Sequence, residues 1–173
     1  MLRRLLPIPM LLVTGLAFAQ APPRATATVK NAQGEEVGTA TITAKGSGVQ
    51  IDATFSKLPP GTHAVHLHNV GTCTPPDFTS AGPHFNPAGK QHGTENPNGH
   101  HAGDLPNFTV DASGKGKISY PVAGVTLGDG ATSLFHAGGT AIVVHAAADD
   151  NKTDPAGNAG ARIACGVIEK AKS

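Results

Sequence analysis

Apolar and polar residues alternate with a period of two along the first part of the chain, and this pattern constrains the fold more than any other feature. Side chains on a β-strand point to opposite faces in turn, so such alternation predicts a strand with one face in a core and the other in water. The pattern runs through residues 25–30, 39–44 and 49–56. Turn residues, such as the KGSG sequence at 45–48, separate these segments. We therefore expect an antiparallel sheet.

The remainder of the chain combines further strands with two long irregular stretches. Further strands are expected at about residues 62–69, on both sides of a turn at 111–116, at 141–145 and at 162–169. No period survives in the first loop, residues 71–106, or in the second loop, residues 146–161. The whole pattern predicts about eight strands and no helix longer than one turn, arranged as an antiparallel Greek-key β-sandwich or flattened barrel.

The first loop is too long to be a simple connection between strands. A structureless stretch of this length inside a compact domain is usually either functional or disordered. Disorder is therefore the alternative. The histidines of this loop, together with Asp104 and Cys73, favour a loop that is ordered by bound ligands.

The N-terminal residues predict a secretory signal peptide. Two early arginines, an apolar run over residues 5–18 and an A-x-A motif at 17–19 fit a signal that covers residues 1–19. A transmembrane anchor is the alternative, but the apolar run is short and is interrupted by two prolines and a glycine. Residues 20–173 are then expected to form one secreted domain, in the periplasm or cell envelope.

Charge gives little information about partners. The chain carries 13 basic and 12 acidic residues, which is a formal net charge of +1. It has no basic stripe for nucleic acid and no polybasic segment for a membrane surface. We therefore expect neither nucleic acid nor, after signal cleavage, a membrane as a partner.

The chain contains two cysteines, Cys73 and Cys165. Export would place them in an oxidising compartment, where an isolated pair usually forms a disulfide. The bond would join the first loop to the last predicted strand. Two separate buried thiols are the alternative.

Histidines are the most informative residues of the chain, which has nine of them. His66 and His68 are two positions apart on a predicted strand, so their imidazoles share one face and can chelate one ion. Such a pair also occurs by chance. His145, at the end of another strand, could supply a third nitrogen, although a packed or solvated side chain is the alternative for it alone. Several imidazoles with an open position suit copper.

A second candidate site lies in the first loop, where His84, His92 and His101 are followed by Asp104. Three imidazoles and a carboxylate can form a closed four-ligand zinc site. Each residue taken singly could be a solvated loop residue. That interpretation is a poor one for the whole set.

Two longer motifs are highly specific: GPHFNP at residues 82–87 and GNAGARIACGVI at 157–168. Shorter matching segments are GTHAVHLH at 61–68, QHG at 91–93, HAGDL at 101–105 and VH at 144–145. With these motifs the chain resembles the copper/zinc superoxide dismutases over essentially all of residues 20–173.

The resemblance implies one copper ion and one zinc ion per chain. The residues that would bind copper are His66, His68, His84 and His145. The residues that would bind zinc are His84, His92, His101 and Asp104. His84 would therefore bridge the two ions. Asp149 would hydrogen-bond one copper-ligand and one zinc-ligand histidine and so orient both rings.

The resemblance also implies the activity, which is the conversion of superoxide to oxygen and hydrogen peroxide while copper cycles between two oxidation states. His84 would release copper and take up a proton in the reduced state. Arg162 would attract and orient the anion, because a guanidinium keeps its charge at working pH.

Other residues match the family less directly. Cys73 and Cys165 would be the family disulfide, and His63 a structural histidine. His100 and His136 match nothing and are expected to be solvated. The triplets that begin at Asn107 and Asn151 fit a glycosylation pattern, which has meaning only in a eukaryotic host.

The chain departs from the family pattern at the short second loop. The charged elements that guide the anion in many animal members are missing, and Lys152 could replace them only weakly. Ala156 stands where many members have a threonine at the channel mouth. Members are monomers or dimers through different faces, so a homodimer is one arrangement that the resemblance allows.

Two other classes of function are open. An exported copper- or zinc-binding protein without enzymatic activity could share the fold, but such relatives usually lose a copper ligand or the arginine. This chain keeps both. A non-haem iron dioxygenase would need two histidines and a carboxylate on one metal, with no zinc loop beside it.

Overall fold

The computed structural model describes residues 22–172, and the predicted signal peptide at residues 1–19 lies outside them. The described chain forms ten strands: β1 Arg24–Asn31, β2 Glu36–Lys45, β3 Gly48–Phe55, β4 Gly61–His63, β5 Val65–His68, β6 Phe108–Val110, β7 Gly116–Ala123, β8 Ala141–His145, β9 Arg162–Val167 and β10 Glu169–Lys170. One 3₁₀ turn spans Thr79–Ala81. Within residues 22–172 no helix is long and apolar enough to cross a bilayer.

The predicted alternation along the first strands is confirmed. Buried and exposed residues alternate through β1 from Ala25 to Lys30, and in β3 Val49, Ile51 and Ala53 are buried. All pairings between the strands are antiparallel. Each fully buried aliphatic side chain contributes about 1.5 to 3 kcal/mol relative to an exposed one, so the inward face of these strands supplies the core.

The sheet is a nearly closed antiparallel barrel, as the sequence predicts. Its strand order is β4-β6-β7-β3-β2-β1-β9-β8-β5, with β10 paired to β1. The two ends of this order, β4 and β5, are separated in the chain only by Ala64. Because sequential neighbours lie at opposite ends of the sheet, the sheet must curve round on itself. Non-consecutive neighbours such as β3 and β7 give the Greek-key connectivity.

Two predicted strands are each divided, so the structure has ten strands rather than about eight. The strand expected at residues 62–69 pairs first with β6 and then, beyond Ala64, with β8. Ala64 itself donates to Ala147 O and accepts from the N–H of His145. The last strand is divided at Ile168, whose N–H donates to Thr140 O.

The first loop is ordered by packing against β5. Leu67 N–H donates to Gly103 O, Phe85 N–H donates to Leu67 O, and Gly103 N–H donates to Phe85 O. Gly103 leaves no room for a side chain, since a Cβ there would collide with Leu67 O and lie 3.0 Å from Phe85 N. Two backbone hydrogen bonds therefore hold this loop beside the strand that carries His66 and His68, and the third joins two segments of the loop to each other.

The predicted disulfide between Cys73 and Cys165 is confirmed. It joins the first loop to β9. Cys165 is buried in a small apolar cluster that includes Phe78, Ala81 and Val143. The bond thus anchors the beginning of the first loop to the barrel.

Replacing both cysteines by serine should lower the free energy of unfolding. The unfolded chain would regain the entropy of a loop whose ends are 92 positions apart, and removal of a native disulfide typically costs about 2 to 5 kcal/mol. Urea unfolding of the metal-free protein measures the change. Reduced wild type should match the double variant. Equal unfolding free energies for the oxidised wild type and the variant would contradict this account.

Candidate metal centre

Seven of the nine histidines are buried. An imidazole removed from water needs a hydrogen-bond or metal partner for its ring nitrogens, because an unsatisfied buried polar group costs free energy. Six of the seven converge where the first loop crosses the ends of β5 and β8. They form two groups that share one residue.

The strand cluster consists of His66, His68, His84 and His145. All four are buried, and their ligand nitrogens lie within 4.8 Å of one another. His66 and His68 lie on the same face of β5, as the i, i+2 spacing predicts. β8 pairs with β5 and ends at His145, which brings that ring to the same place. His84 reaches the cluster from the first loop through an isolated bridge to His68.

In the strand cluster, hydrogen bonds hold one nitrogen of three rings away from the centre. His68 Nδ1–H donates to Gly82 O at 2.8 Å and His145 Nδ1–H to Gly160 O at 3.3 Å. His66 Nε2–H donates to Asp149 Oδ2 at 2.7 Å. Since a carbonyl or carboxylate oxygen can only accept, the other nitrogen of each neutral ring carries a free lone pair.

The remaining nitrogens of the strand cluster face one another. His68 Nε2 lies 3.4 Å from His145 Nε2, while His66 Nδ1 and His84 Nε2 are buried without any hydrogen-bond partner. Inward lone pairs without donors are what a bound cation satisfies. A four-imidazole set of this kind fits copper, which nitrogen-rich sites bind tightly.

Burial keeps three imidazoles of the strand cluster neutral. It lowers the pKa of His68 to about 2, that of His145 to about 3 and that of His84 to about 4, with repulsion from neighbouring histidines adding to the effect. Neutral imidazole is the form that binds metal. These three rings are therefore in the ligand form at neutral pH.

The loop cluster consists of His84, His92, His101 and Asp104, again buried and within 4.8 Å of one another. Asp104 Oδ1 lies 2.9 Å from His84 Nδ1, 3.0 Å from His92 Nδ1 and 3.2 Å from His101 Nδ1. The other oxygen, Oδ2, accepts from the N–H groups of Gly93 and His101, both at 2.9 Å. Three imidazoles and one carboxylate form the closed set that zinc takes in structural sites.

Asp104 is held as a carboxylate. Burial alone would raise its pKa, but hydrogen bonds from His101, His84 and His92 hold the pKa well below the usual range. An ionised oxygen at the centre of three nitrogens is a strong cation ligand. The loop cluster therefore fits a divalent ion in charge as well as in donor type.

His84 is the residue that the two clusters share. Its Nδ1 faces Asp104 in the loop cluster, and its Nε2 faces the strand cluster without a partner. Because the two nitrogens lie on opposite sides of one small ring, the two candidate ion positions are adjacent.

Asp149 makes a second connection between the clusters. Its Oδ2 accepts from His66 Nε2 at 2.7 Å, and its Oδ1 lies 3.0 Å from His92 Nε2. Burial opposes the ionised form, but these hydrogen bonds lower the pKa of Asp149 below its usual range. Burial also acts against charge on His92, yet Asp104 and Asp149 together raise its pKa to about 9.

A cavity of about 510 Å³ opens onto the strand cluster. The residues that line it include three histidines of the strand cluster together with Ala156 and Arg162. The Arg162 guanidinium donates to Phe78 O and Gly82 O, both at 2.7 Å. These bonds fix the position of the cation without neutralising its charge, because both acceptors are uncharged carbonyls.

Three other residues behave differently from the cluster histidines. Both ring nitrogens of His63 lie 2.8 Å from backbone oxygens, those of His145 and Pro59, so neither faces the strand cluster. The prediction of a solvated ring does not hold for His136, which is partly buried and stacks on Phe85. Lys152 pairs with Glu95 at 2.8 Å and is not among the residues that line the cavity.

Comparisons with known proteins agree with this site. The family described as copper/zinc superoxide dismutase (SODC) matches residues 36–168. Superoxide dismutase (Cu-Zn) 1 of Aquifex aeolicus is 50% identical over 145 residues, which cover 83% of this chain and 86% of the relative. A second superoxide dismutase (Cu-Zn) of that organism is 48% identical over 160 residues, covering 91% and 93%.

Solved structures show the same fold. A SOD-like protein from Bacillus subtilis superposes with a TM-score of 0.78 at 39% identity, covering 82% of this chain and 96% of that one. The clock protein EA4 superposes with a TM-score of 0.72 at 32% identity, covering 91% and 100%. The match over residues 36–168, together with two buried histidine clusters that share His84, shows that the chain belongs to the copper/zinc superoxide dismutase family.

Proposed function

We propose that the strand cluster binds the copper ion of this superoxide dismutase and that the loop cluster binds its zinc ion, with His84 as the shared ligand. The observation that carries the assignment is the placement of His84, whose two ring nitrogens face two separate buried clusters. The all-imidazole set suits copper, and the set with the carboxylate suits zinc.

The overall reaction converts two superoxide ions and two protons into one oxygen and one hydrogen peroxide. When bound, copper supplies a one-electron redox couple, while zinc has no redox role. The protein itself supplies binding, orientation and a proton position. His84 Nε2 is the proposed proton site, because it has no competing hydrogen-bond partner and His84 is one of the residues that line the cavity.

Arg162 is the proposed anchor for the substrate. Superoxide is a small anion, and the guanidinium is a permanent cation held at the wall of the cavity. Its two backbone hydrogen bonds fix its direction. Such a charge raises the local concentration of an anion and the rate of productive encounters.

The predicted location and assembly state remain proposals. The predicted signal peptide at residues 1–19 and the Cys73–Cys165 disulfide favour export, since disulfides persist in oxidising compartments. The periplasm or cell envelope is the proposed location. A homodimer stays a prediction, and sedimentation of residues 20–173 would test it.

Metal content and turnover measured on one sample test the assignment. Residues 20–173 loaded with copper and zinc should bind one of each ion per chain and dismutate superoxide. Removal of copper should abolish turnover, and zinc alone should not restore it. Full metal content without turnover would contradict the enzymatic function and favour an exported metal-binding protein.

Replacing Arg162 by glutamine should lower kcat/KM by about tenfold or more, because local charge of this kind changes association rates by roughly 10- to 1,000-fold. Copper content should stay the same, since none of the four imidazole ligands is altered. Pulse radiolysis at low ionic strength measures the rate. Arg24→Gln, an exposed position on β1, is the control. Unchanged turnover in Arg162→Gln would count against the assigned role.

The metal-free protein should lose stability on acidification. The pKa values of His68, His145 and His84 lie at about 2, 3 and 4 in the folded chain, against about 6.5 when unfolded. The unfolded chain therefore binds more protons between these values, and the free energy of unfolding falls as pH drops below about 6.5.

The shifted pKa of His92 has the opposite effect on the pH dependence of the free energy of unfolding. Its folded pKa is about 9, so its contribution is complete below about 6.5 and is lost as pH rises towards 9. The metal-free chain should be most stable near neutral pH in urea unfolding. Gln33→Ala, which changes an exposed and uncharged side chain, should leave the profile unaltered. A profile that is flat on the acid side would show that these rings are not buried as neutral groups.

A further inference from the structure

Asn107 makes a two-point contact with a residue far away in sequence. It follows Asp104 by three positions and lies partly buried between the first loop and β6. Its Nδ2 donates to Asp149 O and its Oδ1 accepts from Asp149 N–H, both at 2.8 Å. The donor and the acceptor of one planar side-chain amide thus both bond to backbone atoms of the same residue. This amide clamp, as we call the pair of bonds, restricts both the position and the rotation of Asp149.

The Asp149 carboxylate is closely surrounded by other residues. Its Oδ1 also accepts from Asn151 N–H at 2.6 Å. On the other side, Gly157 leaves the space that the carboxylate fills, since a Cβ at that position would collide with Asp149 Oδ1. The amide clamp fixes the backbone from which this carboxylate reaches His66 and His92.

We propose that Asn107 is a positioning residue for both metal sites: its amide clamp holds Asp149 so that one carboxylate orients a ring in each cluster. The inference rests on the ligand assignment proposed above. Substitution of a residue that hydrogen-bonds a metal ligand typically lowers metal affinity by about 10- to 100-fold, because such residues fix the ring orientation and tautomer of the ligand.

The same contact involves the side-chain nitrogen that glycosylation of the triplet at residues 107–109 would modify. In a glycosylated asparagine, Nδ2 carries the sugar. Here that atom donates to Asp149 O from a partly buried side chain. The side-chain amide of Asn151, the asparagine of the other triplet, lies at the longer distance of 3.3 Å from the same carbonyl. Of the two asparagine side chains, that of Asn107 therefore makes the shorter bond to the Asp149 backbone.

A double-mutant cycle tests the proposal. Asn107→Ala should weaken zinc binding by about tenfold or more in chelator competition and should alter the copper(II) electron paramagnetic resonance spectrum. In the background of Asp149→Asn, the same substitution should have little further effect on either readout, because Asn107 acts through Asp149. A merely structural role would instead give additive losses.

Asn31→Ala is the matched control. Asn31 also bonds backbone groups through its side chain, accepting from the N–H groups of Gln33 and Glu35 at 3.0 Å, but it is the last residue of β1. It should lower stability without changing zinc affinity or the copper spectrum. If Asn107→Ala does not fold, Asn107→Ser, which keeps one hydrogen-bonding group, takes its place in the cycle.

The outcomes separate the two proposals. Wild-type protein that binds neither metal would overturn the ligand assignment and this inference together. Wild-type protein that binds both ions, with unchanged affinity and spectrum in the Asn107 variant, would overturn the inference alone. Additive effects in the double variant would overturn it as well.

Discussion

The packing of the first loop onto β5 is the contact on which the rest of the site depends. Leu67 lies between His66 and His68, and its backbone N–H and C=O both bond to this loop, at Gly103 and Phe85. Those two loop residues are neighbours of Asp104 and His84. The backbone of the strand that carries two imidazoles on one face therefore also holds the loop that carries the other ligands. Gly103 has no side chain, and this allows the loop backbone to lie close to Leu67.

The tautomer of each ring follows from that packing. A neutral imidazole has one N–H, so an outward hydrogen bond to a carbonyl leaves the inward nitrogen as an electron-pair donor. Gly82 O does this for His68 and also accepts from Arg162. One backbone oxygen therefore holds both a ring of the strand cluster and the guanidinium that lines the cavity. Burial completes the arrangement by keeping the rings neutral.

The charge around the cavity is modest. Arg162 is held by uncharged carbonyls and keeps its positive charge. Lys152 is paired with Glu95, and Asp154, which also lines the cavity, accepts from the N–H of His92 at 2.6 Å. Among the described residues that line the cavity, Arg162 is therefore the one permanent cation.

The sequence by itself determined the strands and the ligand set. Alternation along β1 to β3 requires one solvent-exposed face and one buried face. The spacing of His66 and His68 puts both rings on one side of β5, because side-chain direction on a strand is a local property. The family motifs around His84 and Arg162 extended this to the remaining ligands. These features could be predicted because each depends on neighbours in sequence or on a specific motif.

Only the tertiary structure decided how these parts meet. The division of a predicted strand at Ala64 arises because the barrel closes there and the backbone changes partner from β6 to β8. The ion pair of Lys152 with Glu95 joins residues that are 57 positions apart in the chain (152 − 95). The amide clamp of Asn107 on Asp149 joins residues that are 42 positions apart (149 − 107). Hydrogen bonds over such distances leave no periodic signal, since they exist only once the chain has folded.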